Sequence, residues 1–286
     1  MNKIKLANGL EVPTLAYGTW LIKNSDAEEC VKTALELGYR HIDTAQAYGN
    51  EEGVGKGIKN SGLAREDVFV TTKVLAEHKA YIKAKRSIDR SLKKLGLDYI
   101  DLILIHCPQP WAVFRGPRKY YKENVRVWKA LEEAYKDGKV KAIGVSNFDI
   151  NDLKNIMNHC EIKPMVNQIL CHIGSTPCDV IKFCQENDIV VESYSPIAHG
   201  AAMKNADIEK MANKYGVTIP QLCIKYTLQL DTISIPKASS REHIESNTKL
   251  DFEISDDDMV ELIKLNEIDY GKDALWPVFR KKNKTT

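Results

Sequence analysis

Four residues stand where they could move a proton: Asp43, Tyr48, Lys73 and His106. A tyrosine with its ordinary pKa of about 10 is a poor acid near neutrality. A neighbouring ammonium stabilises the phenolate and makes the phenol a better donor. Lys73 closes the apolar run Val68-Phe69-Val70-Thr71-Thr72. A lysine in such a place is costly unless it is paired. Asp43, at the end of the preceding β-rich run, is its natural partner and would keep it charged. His106 closes the next run and could orient a carbonyl oxygen. Taken singly, each has a plainer reading: an ion pair closing a barrel mouth, a satisfied core histidine, an ordinary loop tyrosine. Together they describe a general acid tuned by electrostatics.

The elements that must carry these residues recur along the chain. Short β-rich apolar runs lie at 15–19, 41–45, 68–74, 99–106, 140–146, 165–169, 189–195 and 232–236. Runs such as Ile100-Asp101-Leu102-Ile103-Leu104-Ile105 are apolar on both faces, as parallel strands covered on both sides must be. Helical spacing is found at 27–37, with Ser25 or Asp26 as its cap and Gly38 as its stop, and at 81–95, with Ile82, Ile88, Leu92 and Leu95 on one face. It recurs at 125–135, 149–157, 178–186, 207–215, 220–230 and 255–265. Strands alternating with helices in this way predict an α/β fold, a (β/α)8 TIM barrel with extra C-terminal helices. Asn8-Gly9 predicts an N-terminal β-hairpin with a two-residue turn, both residues at positive φ. A doubly wound sheet would carry a Gly-rich turn after its first strand, and Thr19-Trp20-Leu21 stands there instead. No composition shift marks a second domain, so 1–286 reads as a single barrel domain.

In such a barrel the C-terminal strand ends form the active site. Asp43, Lys73, His106, Ser146-Asn147, Asn167-Gln168, Tyr194-Ser195-Pro196 and Pro236-Lys237 all fall there, on strands that read as apolar. Two other features are decoys. Gly53-Val54-Gly55-Lys56-Gly57 has neither dinucleotide nor P-loop spacing and belongs to a helix. His159-Cys160 and Cys171-His172 lack a second pair at zinc-like spacing, so no metal is expected.

Bulk properties narrow the class. The chain has 286 residues, 43% of them hydrophobic, and a net charge of +2 from 41 basic and 39 acidic residues. That balance argues against a nucleic-acid or membrane-surface partner. The basic tail Arg280-Lys281-Lys282-Asn283-Lys284 reads as a solvated terminus. No apolar run approaches the roughly 18 residues of a membrane span. Seven cysteines without a Cys-x-x-Cys pair point to reduced thiols in the cytoplasm.

The chain resembles the aldo-keto reductases over essentially its whole length. The matching stretches are Asn8-Gly9 with Pro13, Tyr17-Gly18-Thr19-Trp20, Gly38-Tyr39-Arg40-His41-Ile42-Asp43-Thr44-Ala45, Tyr48-Gly49-Asn50-Glu51, Thr72-Lys73, Leu104-Ile105-His106, Gly144-Val145-Ser146-Asn147-Phe148, Asn167-Gln168, Tyr194-Ser195-Pro196 and Ile235-Pro236-Lys237. Within the family, His106-Cys107-Pro108-Gln109-Pro110-Trp111 resembles the microbial diketogulonate reductase group. The resemblance implies NAD(P)H-dependent reduction of aldehydes or ketones. Asp43, Tyr48, Lys73 and His106 would form the catalytic tetrad, with Tyr48 giving the proton. Ser146, Asn147 and Gln168 would hold the nicotinamide carboxamide, and Tyr194 would stack on its ring. Thr19, Trp20 and Asp43 would border the same site, and Ser195, Pro196 and Ile197 would continue the cofactor cleft. Lys237 would grip the adenosine phosphate with the loop around it, Pro236, Ala238, Ser239, Arg241, His243 and Asn247. Trp20, Tyr48, His106 and Trp111 would meet the substrate, a small aldehyde, ketone or keto-acid, since the chain ends soon after Trp276-Pro277.

The family's phosphate loop usually reads Pro-Lys-Ser with an arginine six residues after the lysine. Here Ala238 replaces the serine and His243 the arginine. A guanidinium grips phosphate through two parallel bonds, which an imidazole cannot do. NADPH is the expected cofactor, with NADH use allowed, and a monomer is expected. Two other classes compete. One is a non-catalytic cofactor-binding regulatory subunit of the same fold, like the potassium-channel β-subunits. The other is a phosphate-handling isomerase, which would need a Gly-rich loop where Ser195-Pro196-Ile197 stands.

Overall fold

The computed structural model describes residues 2–114, 116–265 and 268. Strands β1 (Lys3–Lys5) and β2 (Glu11–Pro13) pair antiparallel as the N-terminal hairpin. Eight parallel strands then follow in sequential order: β3 (Tyr17–Gly18), β4 (His41–Asp43), β5 (Phe69–Val74), β6 (Ile100–Ile105), β7 (Val140–Ser146), β8 (Val166–Leu170), β9 (Val190–Tyr194) and β10 (Ile233–Ile235). Hydrogen bonds from Ala16 N to Ser234 O and from Gly18 N to Pro236 O bring the last strand back to the first. This is the expected barrel.

Its outer ring consists of α1 (Asn24–Glu36), α2 (Glu51–Lys59), α3 (Tyr81–Leu95), α4 (Tyr121–Lys136), α5 (Ile150–Met157), α6 (Cys178–Gln185), α7 (Ala206–Tyr215) and α8 (Ile219–Leu228). Among the described residues, two further helices, α9 (Arg241–Ser246) and α10 (Asp256–Lys264), follow the last strand. Helix α8 starts on a reciprocal capping box between Thr218 and Gln221, with Pro220 in its first turn. The loop around Trp276-Pro277 and the basic tail lie outside the described residues.

Several local expectations are corrected. The hairpin loop has Leu6 N bonded to Leu10 O and Gly9 N bonded to Leu6 O. Only Gly9 has positive φ, at 87°. That is a three-residue loop ending in a left-handed glycine, rather than a two-residue turn. Helix α1 begins after Lys23, with no side-chain cap, so Ser25 and Asp26 lie inside its first turn. On α3 the inward face is Ala84, Ser87, Ile88, Ser91 and Leu95, whereas Ile82 is 52% exposed. Nor are the strands apolar throughout: His41, Thr71, Glu192, Ser193 and Ser234 are fully buried.

The Gly-rich run lies on α2, and its role is packing. A Cβ on Gly53 or Gly57 would press on Ala27 or Val31 of α1, at 2.8 Å in each case. A Cβ on Gly55 would overlap the carbonyl of Leu95 at the end of α3. The three glycines let α2 settle between its neighbours, and α2 follows directly on the loop that carries Tyr48. Gly55→Ala should therefore destabilise the fold by about 1–3 kcal/mol through overpacking. Chemical denaturation checks this, and an unchanged midpoint would show that the helices separate freely.

Candidate active site

Asp43 ends β4, and the chain then turns through Thr44 and Ala45 into a short 3-10 helix, Gln46–Tyr48. Gly49, at φ 69°, stops that helix. Two amides lock the turn. Gln46 donates to Ser87 O and Ser91 Oγ on α3 and accepts from Leu75 N. Asn50 accepts from Thr44 Oγ1 and donates to Thr19 O and Ile22 O. Tyr48 is thereby fixed over the barrel mouth.

Lys73, on β5, has no solvent exposure. Its Nζ lies 2.7 and 2.8 Å from the two oxygens of Asp43, 2.8 Å from Thr44 O and 3.3 Å from the Tyr48 hydroxyl. Burial opposes its charge, but Asp43 and then Tyr48 outweigh that and hold its pKa above the ordinary lysine value. For Tyr48 the sequence expectation needs correction. Burial raises the phenol, Lys73 pulls it down, and the net shift is upward. Tyr48 is thus held as the O–H form, a proton donor. His106 follows β6 directly, its ring packed edge-on against Tyr48 with centroids 5.7 Å apart. Burial, then Lys73 and Lys79, hold its imidazole neutral, well below the ordinary histidine value. Its Nδ1 is buried without a partner, leaving Nε2 as the nitrogen that opens on the cavity.

Asp43, Tyr48 and His106 border a cavity of about 600 Å³, with Lys73 buried behind them, within the ordinary size range of small-molecule sites. Trp20, Leu21, Ala47, Trp111, Ile197 and His199 give it apolar walls. Trp111 packs edge-on against His106, with centroids 5.4 Å apart, and Trp20 against His199 at 5.0 Å. Ser146, Asn147, Gln168, Tyr194, Ser195, Pro196, Pro236 and Lys237 form the other side.

Not every expected residue reaches the cavity. Thr19 is fully buried behind the wall, its hydroxyl on Asp43 O at 2.9 Å. Asn147 spends its side chain on the protein, donating to His106 O and accepting from the Tyr194 hydroxyl. Gln168 donates to Asp43 Oδ2 and to Glu192 Oε2, each at 2.8 Å. Both amide protons are used there, so its carbonyl oxygen is left to receive a donor such as a carboxamide. Around β10, Lys237 Nζ lies 2.6 Å from Ser239 Oγ, and Ala238 is buried, its carbonyl accepting from Tyr17. Arg241 pairs with Glu36 on α1 at 3.1 Å, His243 is exposed, and Asn247 is buried. These residues collect on one loop and on α9, at the Lys237 end of the cavity. A cavity lined by amide and hydroxyl groups and by a lysine has the donors and acceptors to hold a dinucleotide.

Sequence reasoning passed over Leu21, His199, Glu192 and Lys79. The legible signal for Glu192 is an acidic residue inside Val190-Val191-Glu192-Ser193. Lys79 donates to Cys107 O at 2.7 Å and to Asn124 Oδ1 at 2.9 Å, tying down the chain just after His106.

Residues 14–267 match the model of the Aldo/keto reductase family. The chain belongs to the aldo/keto reductase family. Glyoxal reductase of Bacillus subtilis is 42% identical over 267 residues, 92% of each chain. An aldo-keto reductase from a Medee basin deep-sea metagenome library is 40% identical and superposes with a TM-score of 0.86 over 92% of this chain and 95% of that one. An aldo-keto reductase of Bombyx mori, solved in complex with NADP, is 31% identical with a TM-score of 0.84 over 93% of both chains. As an aldo/keto reductase the chain is a nicotinamide-dependent oxidoreductase, and relatives named as reductases speak against a regulatory subunit.

The ion pair generates a first site prediction. Lys73→Met removes the charge beside the Tyr48 hydroxyl and leaves Asp43 buried and unpaired. Turnover should fall by roughly 10²-fold or more, with a loss of stability of about 3–5 kcal/mol. Steady-state kinetics and urea unfolding read the two effects. An active and fully stable variant would show the pair to be peripheral.

Proposed function

We propose that this protein reduces small aldehydes, ketones and dicarbonyl compounds with NADPH, Tyr48 giving the proton. The observation that carries the reading is the Lys73 ammonium, held by Asp43, 3.3 Å from the Tyr48 hydroxyl at the wall of the cavity. Nicotinamide, when bound, supplies hydride to the carbonyl carbon. Ser146 and Gln168 would hold its carboxamide and Tyr194 its ring, with Asn147 bracing Tyr194 and the chain at His106. Neutral His106 donates a hydrogen bond to the carbonyl oxygen and orients it. Tyr48 Oη gives its proton to that oxygen as negative charge develops there, and the phenolate left behind is stabilised by Lys73.

Trp20, Trp111 and Ile197 suit a small, largely apolar substrate, and the name of the Bacillus subtilis relative points to the dicarbonyl class. We infer a monomer built as one barrel domain. All seven cysteines are free, as in a reducing cytoplasm. Among the described residues, no helix is long and apolar enough to cross a membrane.

Two measurements test this reading. Tyr48→Phe should lower the turnover number for aldehyde reduction by roughly 10²–10⁴-fold, while cofactor affinity stays within a few-fold. Retention of most of the turnover would remove Tyr48 from the role of donor. For cofactor choice, Lys237 and Ser239 favour a 2′-phosphate, while Arg241 is engaged with Glu36. NADPH should be preferred to NADH, and His243→Arg should widen the ratio of their kcat/KM values, because charge-assisted hydrogen bonds contribute about 1.5–3 kcal/mol each. A wild-type preference for NADH, or a ratio that His243→Arg leaves unchanged, would place His243 away from the phosphate.

A further inference from the structure

Beneath the tetrad lies an acid that the reaction does not use. Glu192, on β9, is fully buried. Its Oε2 accepts from Gln168 Nε2 at 2.8 Å, and the same nitrogen donates to Asp43 Oδ2 at 2.8 Å. Its Oε1 has no hydrogen-bond partner and lies 3.8 Å from His41 Nε2. That nitrogen already meets the Thr71 hydroxyl at 2.9 Å, while His41 Nδ1 meets Pro13 O. One amide group thus stands between two carboxyl groups in the barrel, with a single buried ammonium to balance them.

We propose that Glu192 is a positioning residue that works as a neutral acid. It fixes the Gln168 amide with its nitrogen toward Asp43 and its oxygen free for the nicotinamide carboxamide. Its proton keeps the barrel mouth at one negative charge, the one Lys73 neutralises. This rests on the role given to Gln168 under the proposed function.

The surroundings of Glu192 agree from every side. From β4, Asp43 repels a second negative charge, and burial holds His41 neutral, its pKa lowered to about 3. From β5, Lys73 attracts such a charge but is already committed to Asp43. Strand β8 offers the uncharged Gln168, and Ile233 of β10 stands in register beside Glu192. Burial first, then Asp43, push the Glu192 carboxyl up to about 8. The folded state therefore keeps a proton that the unfolded chain releases near the ordinary glutamate value. Between those two values the folded form binds more protons, so this residue makes stability fall as pH rises.

The test uses the full chain with Glu192→Gln and Glu192→Val. Glu192→Gln keeps the shape and the acceptor for Gln168 but cannot ionise. Melting without cofactor should show its midpoint rising relative to wild type between pH 5 and pH 8, by roughly 5 °C or more. A gap that stays flat would mean that Glu192 is ionised in the folded protein, and would overturn the proposal. The second arm measures the NADPH dissociation constant by fluorescence. Glu192→Val should weaken binding by roughly three- to tenfold, the loss of one hydrogen bond's positioning, and Glu192→Gln should restore it. Equal affinity in all three proteins would show that Gln168 needs no support from Glu192. If wild type binds neither NADPH nor NADH, the function proposed for the cavity fails, and the melting arm still decides the charge on Glu192. If Glu192→Val does not fold, Glu192→Gln carries both arms.

Discussion

Lys73 carries a positive charge on a side chain with no solvent exposure. A charge so placed has a large desolvation cost, and it persists only where an opposite charge and further acceptors surround it. Asp43 provides the charge with both of its oxygens, and Thr44 provides a carbonyl. The other features of the barrel mouth follow from meeting that requirement. Asp43 must end a strand so that its carboxylate points at the next strand, and Gln168 must reach across to occupy the remaining face of Asp43 Oδ2. The chain after Asp43 must turn at once so that Thr44 O also faces Nζ, and that turn delivers Tyr48. Asn50 and Gln46 hold the turn by bonds to neighbouring loops and to α3.

Barrel interiors of this type are usually filled with bulky branched side chains. This one contains a polar column instead. It runs from His41 and Thr71 through Glu192 and Gln168 to Asp43, Lys73 and Tyr48. The outer faces of the same strands are mostly apolar and pack against the helices, apart from contacts such as Thr72 with Glu51 and Asn167 with Cys184, so the fold does not depend on the column for its hydrophobic core. Separating the two tasks lets burial in the column push a phenol further toward its O–H form, an imidazole further toward its neutral form, and a carboxyl up to about 8.

Much of this was legible in the residues. The run 140–146 coincides with strand β7, because Val140-Lys141-Ala142-Ile143-Gly144-Val145-Ser146 is bounded by a glycine turn and a polar loop. The tetrad was legible because a lysine and an aspartate ending apolar runs have few reasons to be there other than each other. The polar column was not. In a parallel strand buried on both faces, a single Glu192 or His41 among valines and isoleucines does not disturb the apolar character of the run. Only the register across β8 and β9 shows that Gln168 and Glu192 are neighbours. Likewise the wall around Leu21 and His199 is built from non-glycine residues at positive φ, 61° and 55°. Packing imposes that conformation against local preference. Turn chemistry misled at Asn8-Gly9 for a related reason, since one left-handed glycine satisfies two different hairpin loops.

The claim that orders this account is that Lys73 and Asp43 act as one unit inside the barrel. A double-mutant cycle in unfolding free energy tests it, with Lys73→Met, Asp43→Leu and the two combined. Each single change strands a buried charge and should cost about 3–5 kcal/mol, and the combined protein, with neither charge, should be more stable than either single variant. Costs that add to within about 0.5 kcal/mol would mean that the two residues are independent, and would contradict the view that their pairing governs the site.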